Sequence, residues 1–117
     1  MNTFRFLDFP VYKQTKVFHK RILSLINGFE NQYSLKDQIS RASLSVILNI
    51  AEGSAKKSDK EFARFLETSI SSMNEVVACL DIMQDLNLLS KIIYDNFLLE
   101  ATSIVKQLGG FIRKLYS

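Results

Sequence analysis

Punctuation is scarce in these 117 residues, with four Gly and one Pro. So few turn formers predict long uninterrupted elements and exclude an all-β fold, which needs a turn signal every few residues. The one cysteine, Cys79, has no partner for an internal disulfide and no metal-ligand spacing around it. A lone thiol fits a reducing cytoplasm. No segment approaches the ~18 uninterrupted apolar residues of a membrane-spanning helix. No basic start followed by a long apolar run marks a signal peptide either.

Chemistry-bearing residues are equally thin on the ground. The one histidine, His19, and Cys79 fall on different predicted helices without supporting neighbours, so a Cys–His nucleophilic pair lacks its third partner. His19 is expected on a boundary face, and Cys79 as a small apolar side chain. Gly53-Ser54 stands without the Gly-Lys-Ser/Thr continuation of a phosphate loop. Glu30, Glu52, Glu61, Glu67, Glu75 and Glu100 are never followed three residues later by His, which excludes the Glu-x-x-His pattern of di-iron bundles. The reading is therefore a non-enzyme with no catalytic, cofactor or metal site.

What is present is an ordinary globular balance, 47% hydrophobic and 23% charged, in a length that suits one domain spanning 1–117. Four helices follow from periodicity and caps. The first, about 9–28, takes Pro10 at its first turn and repeats Val11, Phe18, Ile22, Leu25 and Phe29, with Thr15 in the gap. The second, about 35–53, is expected to start after Ser34 as N-cap. From Leu44 to Ala51 it is apolar nearly all round, which predicts a second buried side, against a neighbouring subunit. Ser58 and Glu61 form a capping box ahead of the third helix, about 59–87. Its seam of Phe62, Leu66, Ser69, Met73, Val76, Leu80 and Met83 steps by four and three, as helices packed at about 20° require. The fourth, about 91–115, opens after Ser90 and carries Phe97, Ala101, Ile104, Leu108, Phe111 and Leu115. Gly109-Gly110 within it suggests close backbone approach or a bend. Short connections favour antiparallel neighbours, so the fold class is all-α, an antiparallel up-down four-helix bundle.

Two polar constellations stand out. Arg41, Ser45, Asn49 and Glu52 recur along one side of the second helix, within reach of Arg64 or Glu75 on the third. They admit a structural network that fixes register or subunit orientation, a ligand pocket, or simple exposure. Basic residues form two groups: Lys13, Lys16 and Lys20 with Arg21 beside them, and Lys56, Lys57, Lys60 and Arg64 at the turn into the third helix. Either group could contact phosphates or be a solvated face. A net charge of +3 permits nucleic-acid binding without requiring it.

The stretch Gln38 to Ser54, with Asn49-Ile50-Ala51-Glu52-Gly53 at its centre, resembles the bacterial proteins encoded in intervening sequences of large-subunit (23S) ribosomal RNA genes. Glu61-Phe62-Ala63-Arg64-Phe65-Leu66, Ser72 to Glu75 and the opening Phe9-Pro10-Val11-Tyr12-Lys13 extend the likeness over nearly the whole chain. Ser71 departs from it, standing where that family often has Gly. The resemblance implies a left-handed bundle assembled as a homopentamer. It also implies kinship with the accessory protein of diversity-generating retroelements, a more basic pentamer that binds nucleic acid and a reverse transcriptase. The expected partners are therefore further copies of the chain, RNA or DNA, and no membrane. The alternative is an adaptor that engages a partner protein with no nucleic-acid role.

Overall fold

The computed structural model describes residues 3–117. A 3-10 turn over Arg5–Asp8 leads into α1 (Pro10–Asn27), α2 (Tyr33–Ser54), α3 (Asp59–Asp85) and α4 (Lys91–Tyr116). Each helix packs on its neighbours in sequence and α4 closes back on α1, with no diagonal contact between α1 and α3 or α2 and α4 among the described residues. The result is the antiparallel up-down bundle, a rod of 44 × 23 × 21 Å. α1 and α4 form one long side, and α2 and α3 form the opposite one.

Local chemistry explains most helix ends. The Ser58 hydroxyl accepts from the Glu61 amide at 3.1 Å and the Ser90 hydroxyl from the Ile93 amide at 3.2 Å, each satisfying an orphan N–H of the first turn. Pro10 starts α1, with Phe9 as its cap. Two boundaries differ from the sequence expectation. α2 begins at Tyr33, so Ser34 lies inside the first turn and is not its cap. The reason is that Asn31 and Gln32 both adopt left-handed backbone (φ 59 and 60), which reverses the chain before Ser34 is reached. α3 ends at Asp85, two residues short, because Asn87 is left-handed (φ 60). The Leu88 amide then reaches the Met83 carbonyl and the Asn87 amide the Gln84 carbonyl, both at 2.9 Å, a Schellman closure with Asn in place of Gly.

The seam of α3 is buried along its whole length, as are Phe18, Ile22, Ile39, Val46, Ile50, Phe97, Ile104 and Leu108. Ser69 sits in this core with its hydroxyl donating to the Val46 carbonyl at 2.9 Å, so no unpaired polar atom results. Cys79 is buried too and packs in the same cluster.

Glycine plays its structural part at Gly53, not at the pair in α4. In the last turn of α2, a Cβ on Gly53 would lie 2.6 Å from the Phe65 Cβ and 3.0 Å from Phe62 Cδ1. The last turn of α2 thus lies against the start of α3 with no room for a side chain at this position. At Gly109 and Gly110 a Cβ would meet only the Arg113 guanidinium, at 3.8 and 3.7 Å. The close approach expected there is absent, and α4 runs through both residues unbroken.

Candidate functional surfaces

The predicted polar constellation of α2 divides in two once the helix is set in place. Ser45 and Asn49 turn toward α3: the Ser45 and Ser72 hydroxyls lie 2.9 Å apart, and the Asn49 amide donates to the Ser45 carbonyl at 2.8 Å and hydroxyl at 3.0 Å. Below them Gln38 donates to the Glu75 carboxylate. Arg41 and Glu52 stand apart from this cluster on the exposed side of α2, Arg41 pairing with Asp37 at 3.1 Å. Arg64 is exposed on α3 and joins neither group. The structure thus brings together Ser45, Asn49 and Ser72, and separately Gln38 and Glu75. It leaves Arg41, Glu52 and Arg64 at the surface.

Between Arg41 and Glu52 on the same outward stripe stand Leu44 and Leu48, 43% and 52% exposed. These are the residues that made α2 look apolar all round, and the bundle does not cover them.

The first basic group lies along the exterior of α1. Lys13, Lys16 and Lys20 are exposed, with the Lys16 ammonium 5.0 Å from the Tyr12 ring centre. Arg21 is drawn away from that row: it pairs with Glu100 of α4 and lies 4.6 Å over the Phe97 ring. In the second group Lys56 is half-buried over the Phe65 ring at 4.9 Å, while Lys57, Lys60 and Arg64 are exposed. Arg5, which no sequence signal pointed to, clamps the end of α2. Its guanidinium donates to the Ser54 carbonyl at 2.9 and 3.2 Å and lies 5.3 Å over Phe62.

Charge is divided by side. α1 has four Lys/Arg and no acid, and α1 with α4 carries eight basic residues against two acidic ones. α2 with α3 carries four against eight. One long side of the rod is therefore +6 and the opposite side −4, a separation that the +3 total conceals.

His19 and Cys79 both sit in structural surroundings. His19 Nδ1 lies 2.8 Å from the Ser43 hydroxyl across the α1–α2 joint, and partial burial holds its pKa below the ordinary 6.5. Burial pushes the Cys79 thiol up, with the Glu75 carboxylate adding to it, so the thiol stays protonated and a poor nucleophile. Among the described residues, no group of His, Cys, Asp or Glu is placed to hold a metal ion, and no helix is long and apolar enough to cross a membrane.

The His19 environment sets the sign of a pH effect. A base whose folded pKa is lowered binds its proton more readily when unfolded, so its contribution to stability is complete above pH 6.5. That contribution is lost as pH falls from 6.5 toward the lower folded value. The urea midpoint should therefore drop between pH 7 and pH 5, and His19→Gln should remove most of that drop. An equal drop in the variant would assign it to carboxylates instead.

Against known proteins, a family model described as 23S rRNA-intervening sequence protein matches residues 7–110. A search of curated proteins gives no match. The crystal structure of a protein with unknown function from the S23 ribosomal protein family of Bacteroides thetaiotaomicron superposes with a TM-score of 0.81. It covers 87% of this chain and 97% of that one at 22% identity, a likeness of fold.

Proposed function

Since the chain belongs to the 23S rRNA-intervening sequence protein family, we infer that it works as a non-enzymatic, self-associating helical module that binds nucleic acid weakly through surface lysines. The observation that carries self-association is the exposed Leu44–Leu48 stripe, apolar surface in mid-helix that the bundle itself leaves uncovered. The resemblance drawn from the α2 motif sets the expected copy number at five. The nucleic-acid part leans on α1, with four cations and no acid.

Phosphate contacts of this kind have a measurable signature. Fluorescence anisotropy with a structured RNA should show binding at low salt that weakens steeply as salt rises, because each neutralised phosphate releases counterions. Changing Lys13, Lys16 and Lys20 together to Gln should lower the log–log salt slope by roughly 2 to 3. Absence of binding at low salt overturns the nucleic-acid part. It would favour the second reading, an adaptor for another protein, which the exposed Ile82, Ile92 and Leu99 support as surfaces for apolar contact.

A further inference from the structure

Resting on the nucleic-acid reading, we propose that the cleft between the start of α1 and the last turns of α4 takes the base of one unpaired nucleotide. The cleft has a volume of about 470 Å³, within the range of about 300–1,000 Å³ typical of small-ligand sites. Phe9, Pro10 and Phe111 wall it, Gly110 lies within it, and Gln107 and Lys114 supply its polar edge. Among the described residues that line it, Lys114 is the one with a charge, and no ion pair engages it. An apolar slot with a free cation at its rim is complementary to a flat ring that carries an anionic group.

Gly110 is the residue here that packing leaves unexplained. A glycine inside a helix costs stability relative to alanine, yet a Cβ at this position would meet only the Arg113 guanidinium, at 3.7 Å. Its effect is to leave bare backbone in the cleft, on which a flat group can lie close to the helix. The half-buried rings of Phe9 and Phe111, with centres 5.2 Å apart, favour an aromatic occupant over an aliphatic chain. The Gln107 amide sets the polar pairing. Its Nε2 donates to Gln14 Oε1 at 2.5 Å and to the Ser103 hydroxyl at 3.2 Å. Both amide hydrogens are thus used, and the carbonyl oxygen is left open as an acceptor. An exocyclic amino group of adenine, cytosine or guanine can donate to it, whereas uracil has none. Phosphates then find a cation on either side. Lys114 lies one helical turn beyond Gly110, and the exposed Lys13 one turn beyond Pro10. The cleft therefore meets the α1 lysine row at its Lys13 end and adds base contact to phosphate contact.

The test uses the full chain and a short uridine strand with one central 2-aminopurine, a fluorescent base that carries an exocyclic amino group. Anisotropy of an end label reports binding of the strand, and 2-aminopurine emission reports stacking of the base. With the unaltered chain both signals should change at low salt and saturate together. Gly110→Leu fills the cleft with a better helix former, so its thermal midpoint should equal or exceed that of the unaltered chain. This variant should lose the emission change and bind roughly five- to a hundredfold more weakly, the loss expected for one stacked base. Gln107→Leu, at an exposed position, removes the acceptor and should lower affinity to that for an all-uridine strand. Lys114→Gln should keep the emission change and reduce the log–log salt slope by roughly 0.7, the share of one phosphate on a single strand. If the strand binds while 2-aminopurine emission stays constant, or Gly110→Leu retains the emission change, the base cleft is overturned and phosphate binding stands. If the unaltered chain gives no anisotropy change at low salt, the nucleic-acid reading falls and the cleft with it.

Discussion

Gly53→Ala lowers the thermal midpoint by roughly 5–15 °C, the shift that a cost of about 1–2 kcal/mol produces in a domain of this size. Two opposing terms set that figure. Alanine is the better helix former, which favours the variant by about 1 kcal/mol. Against it, the new methyl enters a space where the Phe65 Cβ is 2.6 Å away and Phe62 Cδ1 3.0 Å. Overpacking of a filled site costs about 1–3 kcal/mol, and the upper part of that range applies here. A ring edge yields by rotating, whereas a Cβ moves only with its backbone, so α3 as a whole must shift. Larger residues such as leucine at this position should prevent the α2–α3 joint from forming. A midpoint equal to or above that of the unaltered chain would show that the helices separate there without cost.

Phe62→Ala costs more, about 3–5 kcal/mol, the range for deleting a fully buried ring. That is a large share of the roughly 5–15 kcal/mol that stabilises a typical domain. Phe62 is 1% exposed and sits in an aromatic cluster, with ring centres 6.4 Å from Phe9 and 5.1 Å from Phe111. It therefore joins the entry to α1, the start of α3 and the last turns of α4. Its loss also removes one ring under the Arg5 guanidinium, which still holds the Ser54 carbonyl. Urea denaturation read by circular dichroism measures the effect. Combined with Gly53→Ala the two should be less than additive, since removing the Phe62 ring relieves one of the two clashes. Strict additivity would place the clash of the new methyl on Phe65 alone.

The sequence showed most of what is local. Ser58 and Ser90 act within three residues, so the caps they form could be placed from spacing alone. The seam of α3 is legible for the same reason, because a periodicity of three and four fixes which residues share a face. The start of α2 was not, because nothing about Asn31 and Gln32 announces two successive left-handed residues; a Ser in a good position looked like the simpler cap. Glycine was misjudged in the same way. Gly109-Gly110 draws attention as a pair, yet only the packing of α3 against α2 decides that Gly53 is the residue with a neighbour to avoid. On α2, steps of four, four and three aligned Arg41, Ser45, Asn49 and Glu52, but a helix advances about 100° per residue. That drift carries Ser45 and Asn49 toward α3 and leaves Arg41 and Glu52 outside. The division of charge between the two long sides needs the order of helices around the bundle, and the Arg5 clamp spans 49 positions. Neither is accessible to local patterns.

Among the described residues, every contact between α-helices except one joins helices that follow each other along the chain, the exception being α1 with α4. Such an arrangement suits folding during synthesis, because α1, α2 and α3 can dock in the order in which they emerge, with little loop entropy to overcome at each step. The closing contact waits for the last helix. Until α4 is made, Phe18 of α1 lacks the Phe97 ring that later meets it at 5.8 Å, and the seam of α3 is covered on one flank only. Taken without α4, the first three helices would leave an apolar trough open, beside a first helix whose charged side chains are all cationic. Synthesis of the 26 residues of α4 closes that trough.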